Sequence, residues 1–185
     1  MRKVLVLFGQ LTDDDIEWML KAGRKRAVRG GEVLIAQGVA VDAVFILLEG
    51  GLAVRLRRGR GPERELARLQ AGEVVGEMSF VDARPPSATV QALADSTVFA
   101  LPKAVLSAKL AADPAFAARF YRALAMYLST TVRERHRALG APGNGGEPEE
   151  EAEADEADEL DANVLDGVYL AGERFDRMVK RVMAA

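Results

Sequence analysis

The spacing of apolar residues changes character four times along the chain. Between Leu7 and Lys25, Ile16, Met19 and Leu20 fall at i, i+3 and i+4, so one face of a helix is apolar. Thr12 or Asp13 stands where an N-cap belongs, and the acidic run Asp13-Asp14-Asp15 suits the positive end of a helix dipole. This spacing predicts a helix. From Arg29 to Pro102 the pattern breaks into short apolar runs: Val33–Ile35, Val44–Leu48, Leu52–Val54, Leu66–Leu69, Ala88–Val90 and Thr97–Leu101. Glycines punctuate them at 30–31, 38, 50–51, 59, 61 and 72. Short strands at this spacing predict a sandwich or barrel rather than alternating strands and helices.

Helical spacing returns at Pro102. Asp113 and Pro114 read as the N-cap and first position of a long helix, on which Phe116, Phe120, Leu124 and Tyr127 recur every three or four residues. Its end is basic, with Arg133, Arg135 and Arg137, and Gly140 followed by Pro142 stops it. A glycine-rich and then acidic stretch follows to Glu159. Beyond it Val164, Leu165, Val168, Phe175, Met178, Val179 and Val182 restore an amphipathic pattern.

The resulting organisation is a helical lead (1–28), a β-rich body with helices at its end (29–139), an acidic linker (140–159) and a tethered amphipathic segment (160–185). The tethered segment either docks on a partner as a helix in a groove or folds back onto its own domain.

Composition removes whole classes of chemistry. The chain has 185 residues with no cysteine and one histidine, His136, which rules out disulfides, thiolate metal sites and multi-histidine metal sites. No nucleophile stands beside His136 by spacing, so the chain is expected not to be an enzyme, and no metal or cofactor is expected. The N-terminus lacks the long apolar core of a signal peptide, and no run approaches the ~18 residues of a membrane span. A cytoplasmic protein without membrane contact is the expectation. The net charge of −3 hides an asymmetry of +6 over residues 1–139 and −9 over 140–185. The acidic part reads as a solubilising spacer. Arg55, Arg57, Arg58, Arg60 and Arg64 around Gly59 and Gly61 read as a solvated hairpin tip. The Phe116, Phe120 and Tyr127 stripe reads as core by default, with capping a ligand or lining a dimer seam as the alternatives, and Trp18 is expected between the first helix and the strands.

Three ordered stretches carry more information. Leu7-Phe8-Gly9-Gln10-Leu11-Thr12-Asp13 leads in. Gly31-Glu32-Val33-Leu34-Ile35-Ala36-Gln37-Gly38 is followed by Asp42 to Gly50. Gly76-Glu77-Met78-Ser79-Phe80 then runs through Arg84-Pro85-Pro86-Ser87-Ala88-Thr89-Val90. Together, over residues 7–139, they resemble the cyclic-nucleotide-binding domain family, the ligand module of catabolite-activator-type regulators and of cyclic-nucleotide-dependent kinases. The resemblance implies a mostly β fold with flanking helices (α+β), an eight-stranded β-roll or jelly roll closed by a long C-terminal helix.

The resemblance also makes Gly76 to Val90 a phosphate-binding cassette. Its ligand would be a cyclic nucleotide, cAMP or cGMP, or a related phosphate compound, held by Gly76, Glu77, Met78, Ser79, Arg84, Ser87, Ala88 and Thr89. A short helix starting near Gly76 would offer backbone N–H groups to an anion. Glu77 would accept from a ribose hydroxyl. Ser87, Thr89 and the Ala88 amide would bond the phosphate or the purine edge. The arginine that normally precedes the small-residue pair is replaced here by Pro86, which has neither charge nor N–H, and Arg84 is the nearest substitute. Either the pocket binds a ligand with altered chemistry, or it is kept for its fold.

Two roles follow, a ligand-responsive regulator or a scaffold with a silent pocket. A protein partner would engage the long helix, 114–139, or the segment 160–183, and a homodimer is a further expectation. Catabolite-activator-type regulators place a winged helix-turn-helix after the long helix. Here that place holds an acidic linker and some two dozen residues, so direct DNA binding is not expected.

Overall fold

The computed structural model describes residues 4–59, 61–140 and 162–184. Nearly all of the expected acidic linker, with Arg60, therefore lies outside the described residues. Two short helices open the chain, α1 (Val4–Gly9) and α2 (Asp13–Ala22). Thr12 caps α2 reciprocally: the Asp15 amide donates to Thr12 Oγ1 at 3.2 Å and the Thr12 amide to Asp15 Oδ2 at 2.8 Å. Eight strands follow: β1 (Arg24–Val28), β2 (Val33–Ile35), β3 (Ala43–Glu49), β4 (Gly51–Arg57), β5 (Glu63–Gln70), β6 (Val74–Val75), β7 (Thr89–Ala92) and β8 (Ser96–Pro102). The one-turn helix α3 (Met78–Val81) lies between β6 and β7, and α4 (Lys103–Ala112), α5 (Pro114–Gly140) and α6 (Ala162–Ala184) complete the described chain.

The strands form two antiparallel four-stranded sheets, in the orders β1-β8-β3-β6 and β2-β7-β4-β5. Glycine-punctuated short strands predict a sandwich or barrel, and the eight-stranded roll is the form that the family resemblance implies. The unbroken apolar run of β3 has a direct cause. Alternate side chains of a strand face opposite ways, and both faces of β3 and β8 are covered. Phe45, Leu47, Val98 and Ala100 enter the core between the sheets. Val44, Ile46, Leu48, Phe99 and Leu101 enter a second core under the helices. Gly50 makes the β3–β4 turn with φ +93°, and a Cβ there would lie 2.3 Å from Ser96 Oγ.

The helical layer is pinned by charge as well as by apolar contact. Asp113 caps α5 as expected, accepting from the Phe116 amide at 2.9 Å. Arg119 on α5 grips Asp15 on α2 with two bonds, Nε to Oδ2 at 2.7 Å and Nη2 to Oδ1 at 2.8 Å. Asp15 is only 4% exposed. Burial pushes its carboxyl up, but the bonds from Arg119 and from Thr12 outweigh this and hold it below the usual carboxylate range.

Trp18 departs from expectation. It meets Phe116 of α5 edge-on, with centroids 5.3 Å apart, under the Lys109 ammonium of α4. The face of α2 toward the strands is that of Ile16 and Met19, and at ~100° per residue Trp18 falls off it.

The tethered segment folds back. Ala171, Phe175, Met178 and Val182 of α6 are buried against the N-terminal helices, and the Phe8 and Phe175 rings lie 6.2 Å apart. Arg174 bonds Asp13 at 2.8 Å and the Phe8 carbonyl at 3.1 Å, and Arg181 pairs with Glu17. No helix among the described residues is long and apolar enough to cross a membrane.

Arg119→Met strips the bidentate partner from a buried carboxylate and is expected to cost about 1.5–3 kcal/mol at pH 7 by urea unfolding. Because the folded-state pKa of Asp15 is depressed, its contribution is complete above about pH 4 and fades as pH falls below that. The gap between variant and wild type narrows over the same range.

Candidate functional site

The site grows from the β6–α3 junction. Gly76 turns the chain out of β6 with φ +85°, a conformation that favours glycine, and a Cβ there would sit 2.9 Å from the Ala43 carbonyl. Two demands, conformation and close approach, thus fall on one residue. Glu77 precedes α3, whose single turn closes through the Phe80 and Val81 amides onto the Glu77 carbonyl at 3.1 and 3.0 Å. The chain leaves α3 by a loop in which the Arg84 amide donates to Asp82 Oδ1 at 3.0 Å. Two bonds tie the returning strand to the β2–β3 connection: the Gly38 amide donates to the Pro86 carbonyl at 2.8 Å, and the Gln37 amide to Thr89 Oγ1 at 3.2 Å.

The first turn of the cassette is fastened by a cation. Lys103, at the start of α4, donates to Ser79 Oγ at 2.8 Å, and Ser79 Oγ donates to the Gly76 carbonyl at 3.3 Å. Burial holds the Lys103 amine below its usual range, and nearby Asp42, Asp82 and Glu77 offset this only in part.

Beside the cassette lies a cavity of about 320 Å³. Gly76, Glu77, Met78, Ser79, Pro86, Ser87 and Ala88 form one wall. Leu66, Ala67, Arg68 and Leu69 of β5 form another, Ile35, Val54, Val75 and Val90 add apolar floor, and Tyr127 and Thr131 of α5 close over it. Of the residues expected from sequence, six of eight are therefore brought together. Arg84 is exposed in the loop and is not on the wall, and Thr89 is turned to Gln37. The β5 residues and Thr131 lie outside the expected site, whereas Tyr127 takes the ligand-capping position that stood as an alternative to core packing. Their signals were the alternation of β5 and the i, i+4 spacing of Tyr127 and Thr131.

Tyr127 links the cavity to the helical layer. Its hydroxyl donates to the Val74 carbonyl at 2.9 Å and accepts from the Val74 amide at 3.0 Å, two residues before Gly76. On the inner side of Val74 and Glu77, a void of about 20 Å³ is lined by Leu7, Met19, Phe120 and Leu124 among others. The cassette itself meets α5 where the Phe80 and Phe120 rings stand edge to face, with centroids 6.1 Å apart.

The geometry is that of a two-sheet roll with a glycine-turned cassette beside a cavity. Residues 25–113 match the family model described as the cyclic nucleotide-binding domain, and this part of the chain belongs to that family. The chain is 28% identical over 139 residues to the cAMP-dependent protein kinase regulatory subunit of Blastocladiella emersonii, covering 73% of this chain and 34% of that one. It is 30% identical over 95 residues to the cyclic AMP receptor protein of Thermus thermophilus, covering 51% and 44%. The chain thus spans about a third of the first relative and less than half of the second.

Among solved structures, the Thermus thermophilus catabolite activator protein matches with a TM-score of 0.61 and 28% identity, over 72% of this chain and 61% of that one. A cyclic nucleotide-binding domain from Methylobacillus flagellatus matches with a TM-score of 0.68 over 78% and 84%, and at 20% identity it speaks for the fold.

Tyr127→Phe leaves both polar groups of Val74 without the hydroxyl and is expected to cost about 1–3 kcal/mol by thermal or urea unfolding. Amide exchange at Val74 quickens in the same variant.

Proposed function

We propose that this chain is a non-enzymatic regulatory module of the cytoplasm that senses a small ligand of the nucleotide class in the cavity beside Gly76–Val90. The ligand would be a cyclic nucleotide, cAMP or cGMP, or a related compound. One observation carries the reading: the cassette residues lie on the wall of a roofed cavity of about 320 Å³, within the ~300–1,000 Å³ typical of ligand pockets. The relatives named above for cAMP support the class of ligand.

In this reading Glu77 accepts from ligand hydroxyls, Ser87 and the Ala88 amide hold its polar edge, and Met78 and the β5 side chains pack its ring. Occupancy is felt by α5, because Tyr127 and Thr131 form the roof and Tyr127 also holds Val74. A shift of α5 would then change how the helix meets a protein partner or a second copy. Such coupling needs the ligand to favour one position of α5 over the other.

Pro86 favours a second reading, a scaffold with a silent pocket. In that case α5, with Tyr121 and Val132 exposed, is the partner surface. The apolar face of α6 is covered by the chain's own N-terminal helices, which speaks for α5 over the segment 160–183.

Calorimetry of the full chain against cAMP, cGMP, adenosine and guanosine separates the two. Saturable heat is expected with at least one of them. For that compound, Glu77→Gln weakens binding about tenfold, the weight of one charge-assisted hydrogen bond, while Arg84→Ala leaves it unchanged. No heat and no thermal shift with any of the four would decide for the silent roll.

A further inference from the structure

The polar groups of the cavity are poorly arranged for an anion. On the cassette wall, Ser79, Pro86, Ser87 and Ala88 bring hydroxyls, a ring and backbone. Pro86 has no N–H to give, and its carbonyl already takes the Gly38 amide. The Ser79 hydroxyl is engaged on both sides, accepting from Lys103 and donating to the Gly76 carbonyl. The Lys103 ammonium behind it is faced by Asp42, Asp82 and Glu77.

Among the described residues, the charged side chains on the wall are Glu73, Glu77 and Arg68. A wall carboxylate, whatever its own partner, gives an entering anion nothing. Arg68 is bonded to Glu65 at 2.7 Å, and its side chain is 71% exposed on the outer strand. The rest of the wall is largely aliphatic.

A phosphate monoanion leaving water for this site gives up strong hydration and regains bonds only from the Ser87 hydroxyl and backbone amides, with no cation committed to it. An uncharged ring that carries hydroxyls gives up far less. Its hydroxyls meet Glu77, which accepts, and Ser87, which does both, and its ring meets aliphatic side chains. We infer that the cavity of this protein is built for an uncharged, hydroxyl-bearing ring compound of the nucleoside type, and discriminates against the corresponding cyclic phosphate. The inference rests on the ligand-binding reading above and names the charge class of the ligand for that same cavity.

The test compares each nucleoside with its own cyclic phosphate on the full chain by calorimetry. Adenosine or guanosine is expected to bind at least about tenfold more tightly than cAMP or cGMP, the least that one missing charge-assisted contact would give. Pro86→Arg, which puts a guanidinium beside the cassette, is expected to narrow or reverse that ratio by strengthening the cyclic phosphate alone. Equal or tighter binding of the cyclic phosphate to the wild type would overturn the inference while leaving the ligand-binding reading intact. If Arg68→Ala then abolished the phosphate's advantage, Arg68 would stand as the anion partner. Silence from all four compounds would overturn both. The wild-type ratio decides the matter even if Pro86→Arg fails to fold.

Discussion

Everything in this molecule depends on two central strands that must be covered on both faces. β3 and β8 carry large apolar side chains in both directions, so one layer of neighbours is not enough. The second sheet supplies one cover, and the helices supply the other. At ~25 cal/mol per Å² of apolar surface removed from water, neither cover is dispensable for strands of this composition. The helices are therefore part of the core rather than accessories, and the Asp15–Arg119 pair fixes where two of them meet. That obligation gives α5 its purchase on the cassette. Through Phe120 and Leu124, α5 shares that core with Val44, Ile46 and Leu101, and it passes β6 where Tyr127 bonds Val74.

The cassette itself is held at its edges and open in the middle. Gly76 is packed against the Ala43 carbonyl, Ser79 is tied to Lys103, and Pro86 and Thr89 are tied to the β2–β3 connection. Between these anchors the walls stand apart and leave a cavity. A space bounded by fastened backbone does not collapse readily, which is what a preformed ligand site requires. Proline at position 86 fits this economy of fixed parts, since it stiffens the loop where a flexible side chain would otherwise lie.

Much of this was legible in the sequence, for identifiable reasons. Strand runs separated by glycines announced a two-layered β body, and Asp113 with Pro114 announced α5, because caps and turns are decided locally. Six of the eight cassette residues reach the cavity because they follow one another along a single short stretch. Arg84 and Thr89 lie on that stretch too, but the loop turns one to water and a neighbouring amide claims the other. Arg68, Tyr127 and Thr131 come to the wall from elements far apart in the chain, and the local spacing that marks their faces does not say what those faces meet. The fate of α6 was open for the same reason: an amphipathic face states that it will be buried, not against what. Trp18 was misjudged because the neighbouring Ile16 and Met19, not the largest side chain, set the face that α2 turns to the strands.

The tyrosine clasp on Val74 has a further meaning. β6 is the outermost member of its sheet, and an outermost strand ordinarily leaves a row of backbone groups for water or for another chain to claim. Here a single phenol stands in for the missing neighbour and completes the ladder at that point. Lifting α5 by even a small distance would therefore open a sticky margin of sheet next to the pocket, and so the position of one helix governs whether that border is sealed.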